Sequence, residues 1–378
     1  MVRADELPWL GWTSGALTGR SASPRHTGRH ASAAGDQGSG RGWGPGGGAP
    51  PGGGADRRRS RGGGGGDAGT AVAGLHRPAV RPADDGGGPA TAPRGVRALR
   101  TAISDFRPDV VHAHNPGTMP VTSLATGRGR LVPALATLHG SPAEQYRANA
   151  RLATVAGLLT VACGPAVAQQ MADAGAPVSA TVINGVQVRP QRTRTQTRAD
   201  LGIDEDEFVV LQVGRLVHQK HPELAVQAFA RSGVPGFLLL AGAGDLDAAV
   251  REVARQERVA DRVRLLGPRP DAADLMAAAD VVQLSSRFEG LPLVLLEAMS
   301  LGAVVVGVRA PGVTELIRDG ADGLLPERSV DGLANALHRL HGDTTLRERL
   351  ATGAKKRSAE FTAARMASDY ADLYAQLA

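Results

Sequence analysis

The chain has 378 residues, 42% hydrophobic and 21% charged, a length that supports two domains with cores of their own. Its net charge of +6 is uneven: residues 1–95 carry 12 Arg against 7 Asp and Glu, so the rest is near neutral and no nucleic-acid partner is expected. One cysteine, Cys163, excludes an internal disulfide framework, and no uncharged run reads as a bilayer span or signal peptide, so a soluble cytoplasmic protein is expected.

Residues 1–95 hold 26 of the 50 glycines, in runs such as 46–48 and 62–66, with no apolar period of 2 or 3.6. Too few apolar side chains are present to offset ordering entropy, and disorder is expected. The chain uses 40 Arg and 3 Lys, the bias of GC-rich coding. Such DNA read out of frame yields Gly, Arg, Ala and Pro, so this segment reads as a frameshifted or mis-started replacement for half a domain.

Order is expected from Val96. A helix over 97–106, a strand ending at 110–114 and a strand over 131–138 lead to His139-Gly140. A helix over 145–156, a strand over 157–163, a helix over 165–174 and a short strand over 180–183 complete a partial domain spanning 96–190. Residues 188–198 are polar and aperiodic and read as a linker. A second domain over 200–355 alternates strand and helix: 208–213, 222–231, 237–241, 246–256, 263–266, 272–279, 281–284, 292–301, 303–308 and 314–318. Its unbroken apolar strands are those of a parallel sheet covered on both faces, so the fold class is α/β, doubly wound. Helices over 333–340 and 346–374 close the chain, with 356–378 expected to pack back on the first domain.

The densest chemical signal lies over 285–299. Gly290 lets the loop bend, Pro292 suits a first helical turn, and the amides of 290–293 then form an anion site at a helix N-terminus. Glu297, a turn further on, reaches hydroxyls beside bound phosphates. Glu289 lies at the carboxyl end of the sheet, where ligands of open α/β folds sit. A second cluster, Gly214 to Lys220, follows a strand directly, and Lys220 is the only lysine before Lys355. Its ammonium is a point charge and Arg215 offers a planar fork; together they neutralise a diphosphate without a metal, unless both are plain surface cations.

Other features have plainer readings. Asp245-Leu246-Asp247 spells a metal-binding string but opens a helix, and capping is the expectation. The 204–206 acidic run is a solvated turn. Gly242-Ala243-Gly244 is either a tight strand–helix turn or a phosphate contact. His112 and His114 read as core histidines and Cys163 as a small core residue. His139 is open between core residue and ligand.

Taken in order and spacing, 108–114, 138–140, 182–186, 214–220, 239–244, 263–267, 288–299 and 302–323 resemble the family-four retaining glycosyltransferases. The resemblance covers about 96–375 and implies the GT-B architecture, two Rossmann-like domains facing a cleft. It implies a nucleoside-diphosphate sugar as donor, with Arg215 and Lys220 on the diphosphate and Gly290 and Leu291 offering amides to it. Glu297 would hold the ribose, Glu289 the transferred sugar, Gly267 with Leu266 the base, and His139 the sugar near its anomeric carbon. No cofactor or metal is implied. The acceptor is an unknown glycan, lipid or small molecule, with peripheral membrane contact if it is a lipid. Members open with a strand and a Gly-Gly loop that residues 1–95 lack, so the N-terminal domain is expected to be incomplete. A nucleotide-sugar isomerase of the same fold and a non-catalytic binding remnant are the alternatives.

Overall fold

A computed structural model describes residues 92–377, and the glycine-rich stretch up to residue 91 lies outside them. The chain first forms α1 (Ala92–Phe106), which takes in four residues of the stretch expected to be unstructured, and β1 (Val111–His114). Two 3-10 turns aside, α2 (Met119–Ala125), β2 (Ala134–Leu138), α3 (Tyr146–Ala156), β3 (Leu159–Ala162), α4 (Pro165–Asp173) and β4 (Ala180–Thr181) follow. The second half comprises α5 (Arg194–Leu201), β5 (Val209–Val213), α6 (Pro222–Ser232), β6 (Phe237–Ala241), α7 (Asp247–Gln256), β7 (Val263–Gly267), α8 (Ala272–Ala278), β8 (Val281–Leu284), α9 (Leu293–Ser300) and β9 (Val304–Gly307). Helices α10 (Val330–Gly342), α11 (Thr344–Ser358) and α12 (Ala363–Leu377) end the chain.

The strands form two parallel sheets, ordered β1-β2-β3-β4 and β7-β6-β5-β8-β9. Alternate residues of the second sheet feed two cores. Val210, Leu238, Leu240, Val281 and Val306 pack under α6, α7 and α10, whereas Leu211, Leu239, Val282, Leu284 and Val305 pack under α8 and α9. Both faces are therefore dry, as unbroken apolar strands require. The first sheet buries Ala113, Ala136, Leu138 and Ala162 beneath α3 and α4 on one face. Its other face, with Leu135, Val161 and Val182, is covered by Met366 and Tyr370 of α12.

That last contact explains a break that helical periodicity does not announce. The single helix expected over 346–374 is two, separated at 359–362. In the gap the Val186 amide donates to the Phe361 carbonyl and the Ala363 amide to the Val186 carbonyl. A side chain on Gly185 would collide with the Thr362 backbone. The chain thus turns out of the second sheet's layer and lays α12 on the first sheet.

The second half of the expected linker, from Arg194, is helical. Thr193 and Gln196 form a capping box at the start of α5, and Arg198 is 1% exposed. The Arg198 guanidinium donates to the carbonyls of Ala278, Asp204, Glu205 and Glu207 and pairs with Asp280 at 2.9 Å. A helix docked through polar groups has no apolar stripe to read, hence the misassignment. Residues 314–318 are turns rather than a regular element, α2 was not anticipated, and the strand expected over 180–183 shrinks to two residues. Leu246, not an aspartate, is the N-cap of α7, with no side-chain capping bond; Asp247 stands in the first turn and pairs with Arg251 at 2.8 Å.

Candidate functional site

In the second sheet the chain order of strands reverses between β5 and β8, which lie side by side although five elements of sequence (α6, β6, α7, β7 and α8) separate them. At such a switch point the connections leave in opposite directions and open a crevice at the carboxyl ends of the strands. The loops that leave there are the two singled out in the sequence: 214–221 after β5 and 285–292 after β8. They are laced together by backbone contacts. The Arg287 amide donates to the Gln219 carbonyl at 2.8 Å, the Gln219 side chain donates to the Phe288 carbonyl at 3.2 Å, and the Ser285 hydroxyl lies 2.9 Å from the Lys220 carbonyl.

This lacing brings Lys220 and Glu289 into an ion pair, Nζ to Oε1 2.7 Å, with side chains 17% and 8% exposed. The lysine stem runs beside Gly214, where a side chain would stand 3.5 Å from its Cε. Gly242 and Gly244 serve a neighbouring purpose. A Cβ on either would collide with the carbonyls of Gly214 and Leu216, so they let the β6 loop close on the β5 loop. The Ala243 carbonyl accepts the Leu216 amide at 3.0 Å, a further link between the two loops.

The Glu289–Leu291 loop is also where the two sheets meet. A Cβ on Gly290 would collide with the His139 carbonyl and stand 2.7 Å from Cys163 Sγ. A Cβ on Gly140, at φ +95°, would stand 2.7 Å from the Gly290 amide nitrogen, and Asn184 donates to the Leu291 carbonyl at 3.1 Å. Gly290 has no positive φ. Its lack of a side chain serves close approach between backbones, not the bend inferred from sequence. Cys163 is buried and its thiol pushed up to about 12 by desolvation, which keeps it a thiol, in line with a core role.

Glu297 sits one turn into α9, half-buried, and desolvation raises its carboxyl to about 7. No cation or hydrogen-bond donor reaches that carboxyl among the described residues. Arg215 is exposed and makes no side-chain pair among the described residues. Gly267 closes β7 at φ +66°, and its carbonyl accepts the Gly242 amide at 2.8 Å. Thus His139, Lys220, Glu289, Gly290 and Leu291 form one contact set. Arg215 and Gly267 stand at the carboxyl ends of β5 and β7 and Glu297 lies within α9; no side-chain hydrogen bond or ion pair among the described residues joins them to that set.

Residues passed over as core belong to this neighbourhood. His114 Nδ1 lies 2.9 Å from His139 Nε2, and the rings of His112 and His114 stack at 4.2 Å. The alternation His112-Ala113-His114 on a strand end, with the next strand running into a His-Gly turn, is the signal that could have found them. Burial, with the neighbouring histidine, lowers His139 to about 4.

Two Rossmann-like sheets that meet loop to loop at their carboxyl ends define the GT-B architecture. Solved structures of that class superpose accordingly. Anabaena HepE in complex with UDP and glucose is 23% identical, with a TM-score of 0.68 over 76% of this chain and 82% of that one. Sucrose-phosphate synthase of Thermosynechococcus elongatus gives a TM-score of 0.67 at 23% identity, over 76% and 78%. Residues 193–357 match the family model Glycosyl transferases group 1, and 51–188 match Glycosyltransferase Family 4. Residues 193–357 thus form a group 1 glycosyltransferase domain. The second match begins within the glycine-rich stretch, upstream of where order is expected from sequence. N-acetyl-alpha-D-glucosaminyl L-malate synthase of Bacillus anthracis is 32% identical over 200 residues, 51% of this chain and 52% of that protein. D-inositol 3-phosphate glycosyltransferase of Jonesia denitrificans is 34% identical over 194 residues, 48% and 46% of the two chains. The chain spans about half the length of these curated relatives.

Among the described residues no helix is long and apolar enough to cross a membrane, and no cluster of three His, Cys, Asp or Glu is arranged to hold a metal ion.

Proposed function

We propose that the chain is a retaining glycosyltransferase that moves a sugar from a uridine diphosphate sugar to a hydroxyl acceptor. The observation that carries the reading is the Lys220–Glu289 pair at the β5/β8 switch point, beside the N-terminus of α9. The ammonium is a partner suited to a diphosphate, and its present partner is a carboxylate that a diphosphate would replace. Replacement frees Glu289 to accept hydrogen bonds from sugar hydroxyls, so one exchange of partners prepares both subsites. Arg215 adds a mobile fork to the same charge, and the first amides of α9 point at the position the phosphates take. Glu297, raised to about 7, accepts hydrogen bonds from the ribose hydroxyls once ionised.

In the transfer the bond from the anomeric carbon to the diphosphate oxygen breaks, and Arg215 and Lys220 stabilise the charge on the departing group. The acceptor oxygen bonds to the same face of that carbon and its proton passes to a donor phosphate oxygen. The cations supply the neutralising charge that a metal provides elsewhere. The uridine assignment is supported by the bound UDP of the HepE structures. Relatives named as glycosyltransferases favour transfer over isomerisation.

Calorimetric titration with UDP, GDP and UDP-glucose tests the reading, with UDP release and the anomeric proton coupling of any product followed by NMR. We expect UDP and UDP-glucose to bind, with affinity lost in Lys220→Met, and the product to keep the donor's configuration. No binding of any of the three nucleotides refutes it.

A further inference from the structure

Helix α12 presents two tyrosines to the face of the first sheet that ends in histidines. His112 and His114 share one face by the period of two in β1, and the register pairs His114 with Thr137 of β2, two residues before His139. The contacts form a continuous column. Tyr374 OH lies 2.7 Å from His112 Nδ1, and His112 Nε2 lies 2.7 Å from Thr137 Oγ1, itself 2.8 Å from Tyr370 OH. The His112 ring, engaged at both nitrogens, stacks on His114 with centroids 4.2 Å apart. His114 Nδ1 then meets His139 Nε2 at 2.9 Å, the two rings inclined by 21°.

Burial lowers all three histidines below the ordinary imidazole range, so the rings are neutral at pH 7 and each has one N–H donor and one acceptor nitrogen. A nitrogen-to-nitrogen hydrogen bond holds one proton. If His114 donates, neutral His139 carries its own proton on Nδ1 and is a donor there. If His139 donates, its Nδ1 is an acceptor. The direction of one hydrogen bond therefore decides what His139 presents to a sugar oxygen.

We propose that His114 is a positioning residue that sets the orientation and tautomer of His139, and that Tyr374 of α12 holds His114 in place through His112. The proposal rests on the donor-site reading given above. It makes the C-terminal helix, which reaches the first sheet through the Val186 bridge to Thr362, part of what organises the site. A cluster that served only to dock α12 would not influence the His139 ring.

The test uses the full chain with 15N-labelled histidine, His139→Gln assigning the resonances, and the variants Tyr374→Phe, His114→Phe and His114→Asn. In the unaltered protein at pH 7 we expect one tautomer of His139, with its two nitrogen shifts well separated. In His114→Phe and Tyr374→Phe the two shifts move toward each other. His114→Asn restores the separation, because its amide group can donate through nitrogen or accept through oxygen where Nδ1 stood. UDP affinity stays within about two-fold, while kcat for UDP release from UDP-glucose falls on the order of ten- to a hundred-fold in His114→Phe and recovers in His114→Asn. An unchanged His139 spectrum in both Phe variants overturns the proposal, as does a loss of turnover that His114→Asn fails to recover. If the unaltered chain neither binds UDP nor releases it from UDP-glucose, the donor-site reading fails, and the nitrogen spectra alone then uphold or overturn the positioning of His139.

Discussion

Replacing Glu297 by Gln should stabilise the protein and weaken its hold on the donor. The carboxyl is half-buried, unpaired among the described residues, and raised from 4.5 to about 7 by desolvation. Between those values the folded protein keeps a proton that the unfolded chain releases, so stability falls as pH rises through that window, and the cost is complete above pH 7. At about 1.36 kcal/mol per pH unit the interval corresponds to about 3 kcal/mol. Partial solvent access lowers the realised figure to about 2 kcal/mol. Glutamine is neutral throughout and escapes the cost. Urea denaturation followed by circular dichroism should show Glu297→Gln more stable at pH 8 by that amount, the gap narrowing below about 1 kcal/mol at pH 5. The donor responds oppositely. Ribose hydroxyls favour the ionised carboxylate, so UDP affinity should rise with pH up to about 7 in the native protein and stay flat in the variant. A stability difference that is independent of pH, or that grows toward acid, refutes the reasoning.

Lys220→Ala leaves the Glu289 carboxylate 8% exposed without its cation, and we expect a loss of about 3–5 kcal/mol in urea denaturation. The double variant Lys220→Met/Glu289→Gln should regain most of that stability yet bind no UDP; a stable Lys220→Ala would show the pair to be incidental. Gly290→Ala forces apart the His139 and Gly290 backbones, costing about 1–3 kcal/mol by thermal melting. Gly342→Ala, with open space around the position, serves as the control and should be neutral or slightly stabilising. Arg198→Met strands four carbonyls and removes one partner of Asp280, for about 3 kcal/mol; an unchanged denaturation midpoint would contradict the anchoring role of α5.

The apolar strands were legible because burial on both faces leaves a contiguous run, and β5, β6, β8 and β9 fall where such runs stand. Lys220 and Glu289 were likewise legible, the first as a rare lysine and both from their place in glycine-bearing loops after strands. Their pairing was not, since 69 positions separate them and only the β5/β8 adjacency brings the loops together. Gly290 shows the same limit: a glycine after a strand reads as a bend, while the reason for it is the His139 carbonyl of the other sheet. Helix α5 went unread because its partners are carbonyls and carboxylates, which impose no apolar period. His112 and His114 read as core residues because a strand pattern reports which face a side chain takes, and not what covers that face. The sequence alone determined the class of fold and the loops that carry chemistry, because both are written in local patterns of burial and turn residues. Tertiary structure alone decided which side chains meet there, and that α12 lies over the histidines, because those contacts join segments up to 262 positions apart.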